Sequence, residues 1–222
     1  MWTRLPRATP FREYVTAPGQ RSQITFLDGT RVLLAVDTRL RVPRDYGARR
    51  RLVELEGEAY FVVRHDPARP FLVRTARGTT EDLGTEFNVR AYRDEDLAVV
   101  VARGQVLLRG PELRLGARER GVVDADGITT HLRGVAVDHY VAWTRGTLRF
   151  DDATVRTVLL QLARWYDIDI QVDDTSLAHE RLTIAFDTPS ADEALASLAR
   201  VLDVRFTRTG RSVRMRSVHP VS

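Results

Sequence analysis

Three glutamates at alternate positions, Glu54, Glu56 and Glu58, have the spacing best suited to chemistry in this chain. Paired carboxylates on one face can serve as general acid and base, as in a carbohydrate-active hydrolase, if a cleft drives their pKa values apart. The same spacing also marks the wet face of a half-buried strand, and that plainer reading is preferred. Asp167, Asp169, Asp173 and Asp174 suggest a Ca²⁺ loop but lack its glycine and its terminal glutamate, so they read as strand and turn residues. The histidines His65, His131, His139, His179 and His219 never fall at the i, i+4 or short-loop spacing of a metal site. There is no Gly-x-Ser-x-Gly elbow, no Walker-type phosphate loop and no dinucleotide fingerprint. No metal, cofactor or catalytic residue is expected.

The element that positions the glutamates is Leu52 to Arg64, LVELEGEAYFVVR. Val53, Leu55, Gly57, Ala59, Phe61 and Val63 recur with a period of two, which places them on one face of an extended chain. The run exceeds the roughly 5–6 residues of a typical strand. Gly57 at its middle permits a bend, so two strands joined at a corner are predicted, with the same face buried throughout. Phe61 is the expected anchor, and its truncation to Ala should cost about 3–5 kcal/mol.

Around this element, residues 14–133 read as an all-β domain. Asp28-Gly29-Thr30 between Arg21–Phe26 and Arg31–Val36 is a hairpin signal, because Gly accepts the positive φ of the tight turn. Further strands are predicted at Thr38–Val42, Phe71–Thr75, Glu86–Tyr92, Leu97–Ala102 and Gln105–Arg109, with shorter ones at Glu112–Leu115, Glu119–Val123 and Ile128–Leu132. Such spacing gives a sandwich, a barrel or a short, twisted solenoid-like stack, and the pattern does not choose. Residues 134–146 form a linker with a short helix near Val135–Trp143. Residues 147–216 read as a small α+β domain of order βαββαββ, with two helices packed on one sheet. Its first helix carries Val155, Val158, Leu159 and Leu162 at helical spacing behind Asp151-Asp152, and its second starts at the capping box Ser190-Ala191-Asp192-Glu193. One helix end cannot easily bury both Trp165 and Tyr166, so one of them is expected to be exposed beside Arg164, as a protein-binding anchor would be.

Bulk properties narrow the class. In 222 residues, 43% are hydrophobic, enough for a real core. All 34 basic residues are Arg, interleaved with 30 acidic ones, and the only tight cluster is Arg49-Arg50-Arg51. This dispersed pattern describes a solvated surface, and no nucleic-acid partner is expected. The absence of Cys excludes disulfides and thiolate metal sites. No apolar run approaches the roughly 18 residues of a membrane span, and the first residues lack a signal-peptide core.

Several segments, in order, resemble the periplasmic part of FecR-type transmembrane sigma-factor regulators. They are Tyr14 to Arg21, Leu27 to Val32, Val53 to Val63, Pro70 to Val73 and Leu83 to Val89. Gly146 to Phe150 and Leu162 to Tyr166 resemble the family's C-terminal module, which is similar to the short N-terminal (STN) domain of secretins and TonB-dependent receptors. The resemblance implies a non-enzymatic signalling module. It would sit in the periplasm as part of a single-pass inner-membrane protein and receive a signal from the periplasmic domain of a TonB-dependent outer-membrane transducer. An extracytoplasmic-function sigma factor, often one for iron uptake, would be reached through a cytoplasmic domain and a membrane span that this chain does not contain. For such a partner the expected surface is the second domain's Leu148 edge strand with Arg156, Gln161, Arg164 and Trp165. A hydrolase using Glu54, Glu56 and Glu58 is the alternative.

Overall fold

The structure is a computed structural model that describes residues 10–48, 50–82, 84–173, 175–187 and 190–217. It divides into two units, one of residues up to 16 and 21–137, the other of residues 17–20 and 138 onward.

Among the described residues thirteen strands make up the first unit. They are β1 (Phe11–Thr16), β2 (Ser22–Thr25), β3 (Arg31–Leu34), β4 (Thr38–Pro43), β5 (Arg51–Val62), β6 (Phe71–Thr75), β7 (Gly78–Asp82), β8 (Glu86–Ala91), β9 (Leu97–Arg103), β10 (Gln105–Arg109), β11 (Leu113–Gly116), β12 (Glu119–Val123) and β13 (Thr129–Arg133). They form one connected sheet that curls as a half-barrel. At its centre is β5, with four partners. Its first half lies between antiparallel β4 and parallel β6, and its second half between antiparallel β3 and β8.

The change of partners falls at Gly57, where φ is +120°. The predicted corner is there, within one continuous strand, and alternate residues from Val53 to Phe61 stay buried through it. Thr38 fills the inside of the corner. Its hydroxyl accepts from the Glu58 N–H at 3.0 Å and lies 3.0 Å from the Val36 carbonyl, to which it can donate. A Cβ built on Gly57 would lie 2.5 Å from that hydroxyl and 2.7 Å from the Thr38 Cα. No side chain fits.

Five rings run through the core in contact order Phe26, Tyr46, Phe71, Phe61 and Phe87. Phe61 is fully buried and stacks on Phe87 at 5.2 Å between centroids. Tyr46 donates its hydroxyl to Asp28 at 2.9 Å, so the one polar ring in the row has a partner. The Arg49–Arg51 cluster is not uniformly a surface feature. Arg51 is buried, donating to the carbonyls of Arg69 at 2.6 Å and Arg64 at 2.8 Å, with Asp28 at 3.5 Å; Arg49 lies outside the described residues.

A short helix, α1 (Val137–Val141), and a 3-10 turn over Ala142–Arg145 lead into β14 (Leu148–Thr154), α2 (Val155–Tyr166), β15 (Asp169–Val172), β16 (Arg181–Phe186), α3 (Ala191–Leu202), β17 (Val204–Thr209) and β18 (Ser212–Ser217). Among the described residues the strands of this second unit form two sheets rather than the single sheet expected, β14 with β16 and β15–β18–β17. The start of α2 also differs from expectation. Asp151 and Asp152 belong to β14, where the register shifts and Asp152 takes a φ of +47°, and the Thr154 side chain caps the helix by accepting from the Thr157 N–H. Ser190 caps α3 as predicted, accepting from the Glu193 N–H.

The two helices are copies of one pattern. Each has 12 residues, and α3 starts 36 residues after α2. Leu162-Ala163-Arg164 is followed, after two intervening residues, by Asp167-Ile168, and Leu198-Ala199-Arg200 likewise by Asp203-Val204. Asp167 and Asp203 both adopt the left-handed conformation, φ +54° and +52°, and donate their N–H groups to the carbonyls of Ala163 and Ala199. Asp tolerates that region because its short polar side chain can bond locally.

Two predictions follow from β5. Gly57→Ala should destabilise the first unit by about 2–5 kcal/mol, combining backbone strain with overpacking. Gly110, with φ +111° and open space around it, isolates the strain alone, so Gly110→Ala should cost only about 1–3 kcal/mol. Urea midpoints for the two variants check the difference. Tyr60, partly buried and bonded to Glu86, has its phenol pushed up to about 12, first by burial and then by the Glu86 charge. The unfolded chain therefore loses this proton first, near pH 10. Stability from this group is complete below pH 10 and declines as pH rises toward about 12. Tyr60→Phe should flatten that alkaline decline in denaturation midpoints.

Candidate interaction surfaces

The strand pattern Thr38-Arg39-Leu40-Arg41-Val42 buries Thr38, Leu40 and Val42 and turns both arginines to solvent. Register then sets Arg39 opposite Glu56, Arg41 opposite Glu54, and Arg74 opposite Glu54 from the other side. One strand further out, Glu13 stands opposite Arg41. The row Glu13, Arg41, Glu54, Arg74 thus crosses β1, β4, β5 and β6 with alternating sign. Arg41 bonds Glu13 at 2.9 Å, Arg74 meets Glu54 at 3.3 Å, and Arg93 meets Glu56 at 3.0 Å. The Arg41 hydrogen bond holds the Glu13 carboxyl below the usual carboxylate range. These pairs are exposed and solvent-screened, so each adds little to stability. Arg41, Glu54, Arg74, Glu56 and Arg93 line a cleft of about 640 Å³, together with Arg39, Arg77, Glu95, Leu55 and Leu97.

Glu58 is not part of that face. Beyond the Gly57 corner it is buried, accepting from the Asn88 amide at 2.9 Å and from Arg90 at 3.2 Å. Arg90 also grips Glu95 through two bonds of 2.8 and 2.6 Å. Burial pulls the Arg90 pKa down, but Glu58 and Glu95 together raise it above its ordinary value, so the guanidinium stays charged. The three glutamates therefore do not converge. Two sit in exposed ion pairs and the third in a closed one, and no acid/base pair is assembled.

In the second unit the five predicted residues divide. Leu148 is buried, 4% exposed, so the edge strand β14 offers its backbone and not that side chain. Among the described residues β14 pairs only with β16. Arg156 is exposed on α2, while Gln161, Arg164 and Trp165 are half-buried and each has a partner of its own. Trp165 and Tyr166 share the helix end with both rings half-buried, so neither is the exposed aromatic that was expected. The Arg164 carbonyl accepts from the Gly19 N–H at 2.9 Å, within this unit.

The remaining candidates are structural. Asp167 and Asp169 pair with Arg211, and Asp173 with Arg214 and Arg216. His131 meets Glu119 at 3.1 Å and His139 lies 3.8 Å from Asp151. Among the described residues no three His, Asp or Glu side chains gather as metal ligands; Asp174 and His219 lie outside them.

The family description "FecR protein" matches residues 12–107, and "FecR, C-terminal" matches residues 147–215. A crystal structure described as "a putative anti-sigma factor" from Parabacteroides distasonis aligns with a TM-score of 0.87 and 30% identity, over 95% of this chain and 100% of its own. The chain belongs to the FecR family. A second crystal structure under the same description is 31% identical, with a TM-score of 0.87 over 94% of this chain and 100% of its own. Curated proteins gave no match. The charged cleft lies wholly within the FecR match, and Leu148, Arg156, Gln161, Arg164 and Trp165 all lie within the FecR C-terminal match. The cleft arginines were legible in principle, because the alternation at 38–42 gives the face of Arg39 and Arg41. Their pairing with Glu54 and Glu56 was not, since it depends on register.

Removing Glu58 should hurt where removing its neighbours does not. Glu58→Ala is expected to cost about 2–3 kcal/mol, less than the 3–5 of a fully orphaned partner because Arg90 keeps Glu95. Glu54→Gln and Glu56→Gln should each stay within about 1 kcal/mol of wild type in the same urea melts.

Proposed function

We propose that this chain is the periplasmic signal-transfer region of a sigma-factor regulator, receiving its signal from a TonB-dependent outer-membrane transducer. The observation that carries this reading is the FecR match on both units, joined to a shared fold with the Parabacteroides distasonis protein along nearly the whole chain. In this reading residues 14–133 are the FecR domain, 134–146 the linker and 147–216 an STN-like domain. The observed order β14-α2-β15-β16-α3-β17-β18 suits the last assignment. The sigma factor is contacted by a cytoplasmic domain across the inner membrane. Signal transfer by docking needs a surface rather than a reactive pocket, and the ion-paired carboxylates fit that requirement.

The docking surface in this proposal is on the second unit. The backbone edge of β14 at Leu148 can accept a partner strand by main-chain pairing, and Arg156, Gln161, Arg164 and Trp165 flank it with charge and an aromatic ring. The double variant Arg164→Glu, Trp165→Ala should weaken binding to the periplasmic domain of the partner transducer by about tenfold or more, about 1.4 kcal/mol. Its circular dichroism spectrum should match wild type. Titration calorimetry giving wild-type affinity would remove these residues from the interface.

A further inference from the structure

We infer that the charged cleft of the first unit is a docking site for an extended acidic segment of a partner polypeptide, with carboxylates at alternate residues. This site is separate from the second-unit surface and does not depend on it.

Four observations carry the inference. First, the cleft is net positive: Arg39, Arg41, Arg74, Arg77 and Arg93 line it against Glu54, Glu56 and Glu95, and stay in excess when Glu13, bonded to Arg39 and Arg41 from β1, is added. Glu95 is moreover committed to Arg90 at its back. Second, the arginines reach solvent. Arg39, Arg41 and Arg74 are about half exposed and Arg93 is 77% exposed. Their present carboxylate partners hold them through solvent-screened surface pairs, which are weak. An incoming carboxylate can displace such a partner or share the guanidinium, which has five N–H donors. Third, the floor is a sheet and the charges follow its repeat. Arg39 and Arg41 are two residues apart on β4, roughly 7 Å. An extended chain with an acid at every second residue presents carboxylates at the same roughly 7 Å spacing. Arg74 lies two strands across from Arg41, roughly 9.5 Å away, within reach of a side chain on the same ligand strand. Fourth, Ala76, which is exposed, and Ala91, which is half-buried, line the cleft and give apolar footing for the residues between the acids. A compact anion would use one or two of these arginines, whereas an extended acidic segment engages them all.

The test uses the full chain and a fluorescein-labelled peptide, Gly-Glu-Val-Glu-Val-Glu-Gly, with its Gln-for-Glu counterpart as control, followed by anisotropy. The acidic peptide should bind at least about tenfold more tightly than the control, and its affinity should fall steeply between about 50 mM and 300 mM salt. Arg39→Gln with Arg74→Gln should weaken it about tenfold or more, with an unchanged circular dichroism spectrum. Glu54→Gln with Glu56→Gln removes the acids that hold Arg74 and Arg93, leaving Glu13 beside Arg39 and Arg41, and should tighten it severalfold. A merely structural role for these pairs predicts no gain from the second variant. Equal binding of the two peptides would overturn the inference. So would unchanged or weakened binding in Glu54→Gln/Glu56→Gln, or displacement by an equal concentration of pyrophosphate, which would make the cleft a small-anion site. The Arg164→Glu, Trp165→Ala variant should bind the peptide like wild type, so loss of one surface is told apart from loss of the other.

Discussion

The contact between Thr38 and the bare backbone of Gly57 is the constraint on which the first unit depends. A 12-residue strand can serve two sets of neighbours only if it turns without changing which face is buried. The left-handed φ of Gly57 supplies the turn, and the Thr38 hydroxyl takes up the Glu58 N–H that the turn leaves without a ladder partner. Thr38 is itself held by Thr16, whose hydroxyl accepts from the Thr38 N–H at 3.0 Å and donates to Ala35 at 2.6 Å. Three strands are thus tied at one point by polar groups. Upstream of the bend, the outward side chains form the exposed charge ladder; downstream, Glu58 is drawn into a closed ion pair.

Much of this was legible in the sequence where burial writes a period. The alternation over Leu52–Arg64, the Asp28-Gly29 turn and the continuous apolar run of β9 all read directly, because apolar side chains there face the core. β7 did not. Its inward positions are Thr80 and Asp82, both fully buried, so no apolar rhythm marks Gly78–Asp82. Asp82 is satisfied instead by the N–H groups of Gly84 and Thr85 and by the Thr85 hydroxyl. β1 was missed for the opposite reason: it is an edge strand whose only buried residue is Thr16.

The candidate site was less legible than the fold. Residue types along one strand were readable, but the chemistry of the glutamates depends on which arginine stands opposite each, and that is decided by strand register and by one glycine. Arg51 makes the same point. It reads as part of a surface cluster, yet three backbone carbonyls and Asp28 hold its guanidinium inside the protein. Composition counts charges without saying which have been taken out of water.

The duplicated helix ending has a consequence for the surface of the second unit. The left-handed aspartate, the arginine three residues before it and the carbonyl it caps occur twice, so those features alone present one local pattern at two places. The copies differ at Trp165 against Val201, Tyr166 against Leu202 and Ile168 against Val204. Val201 is 56% exposed where Trp165 is half-buried, so what distinguishes the two endings is carried by these side chains and not by the backbone.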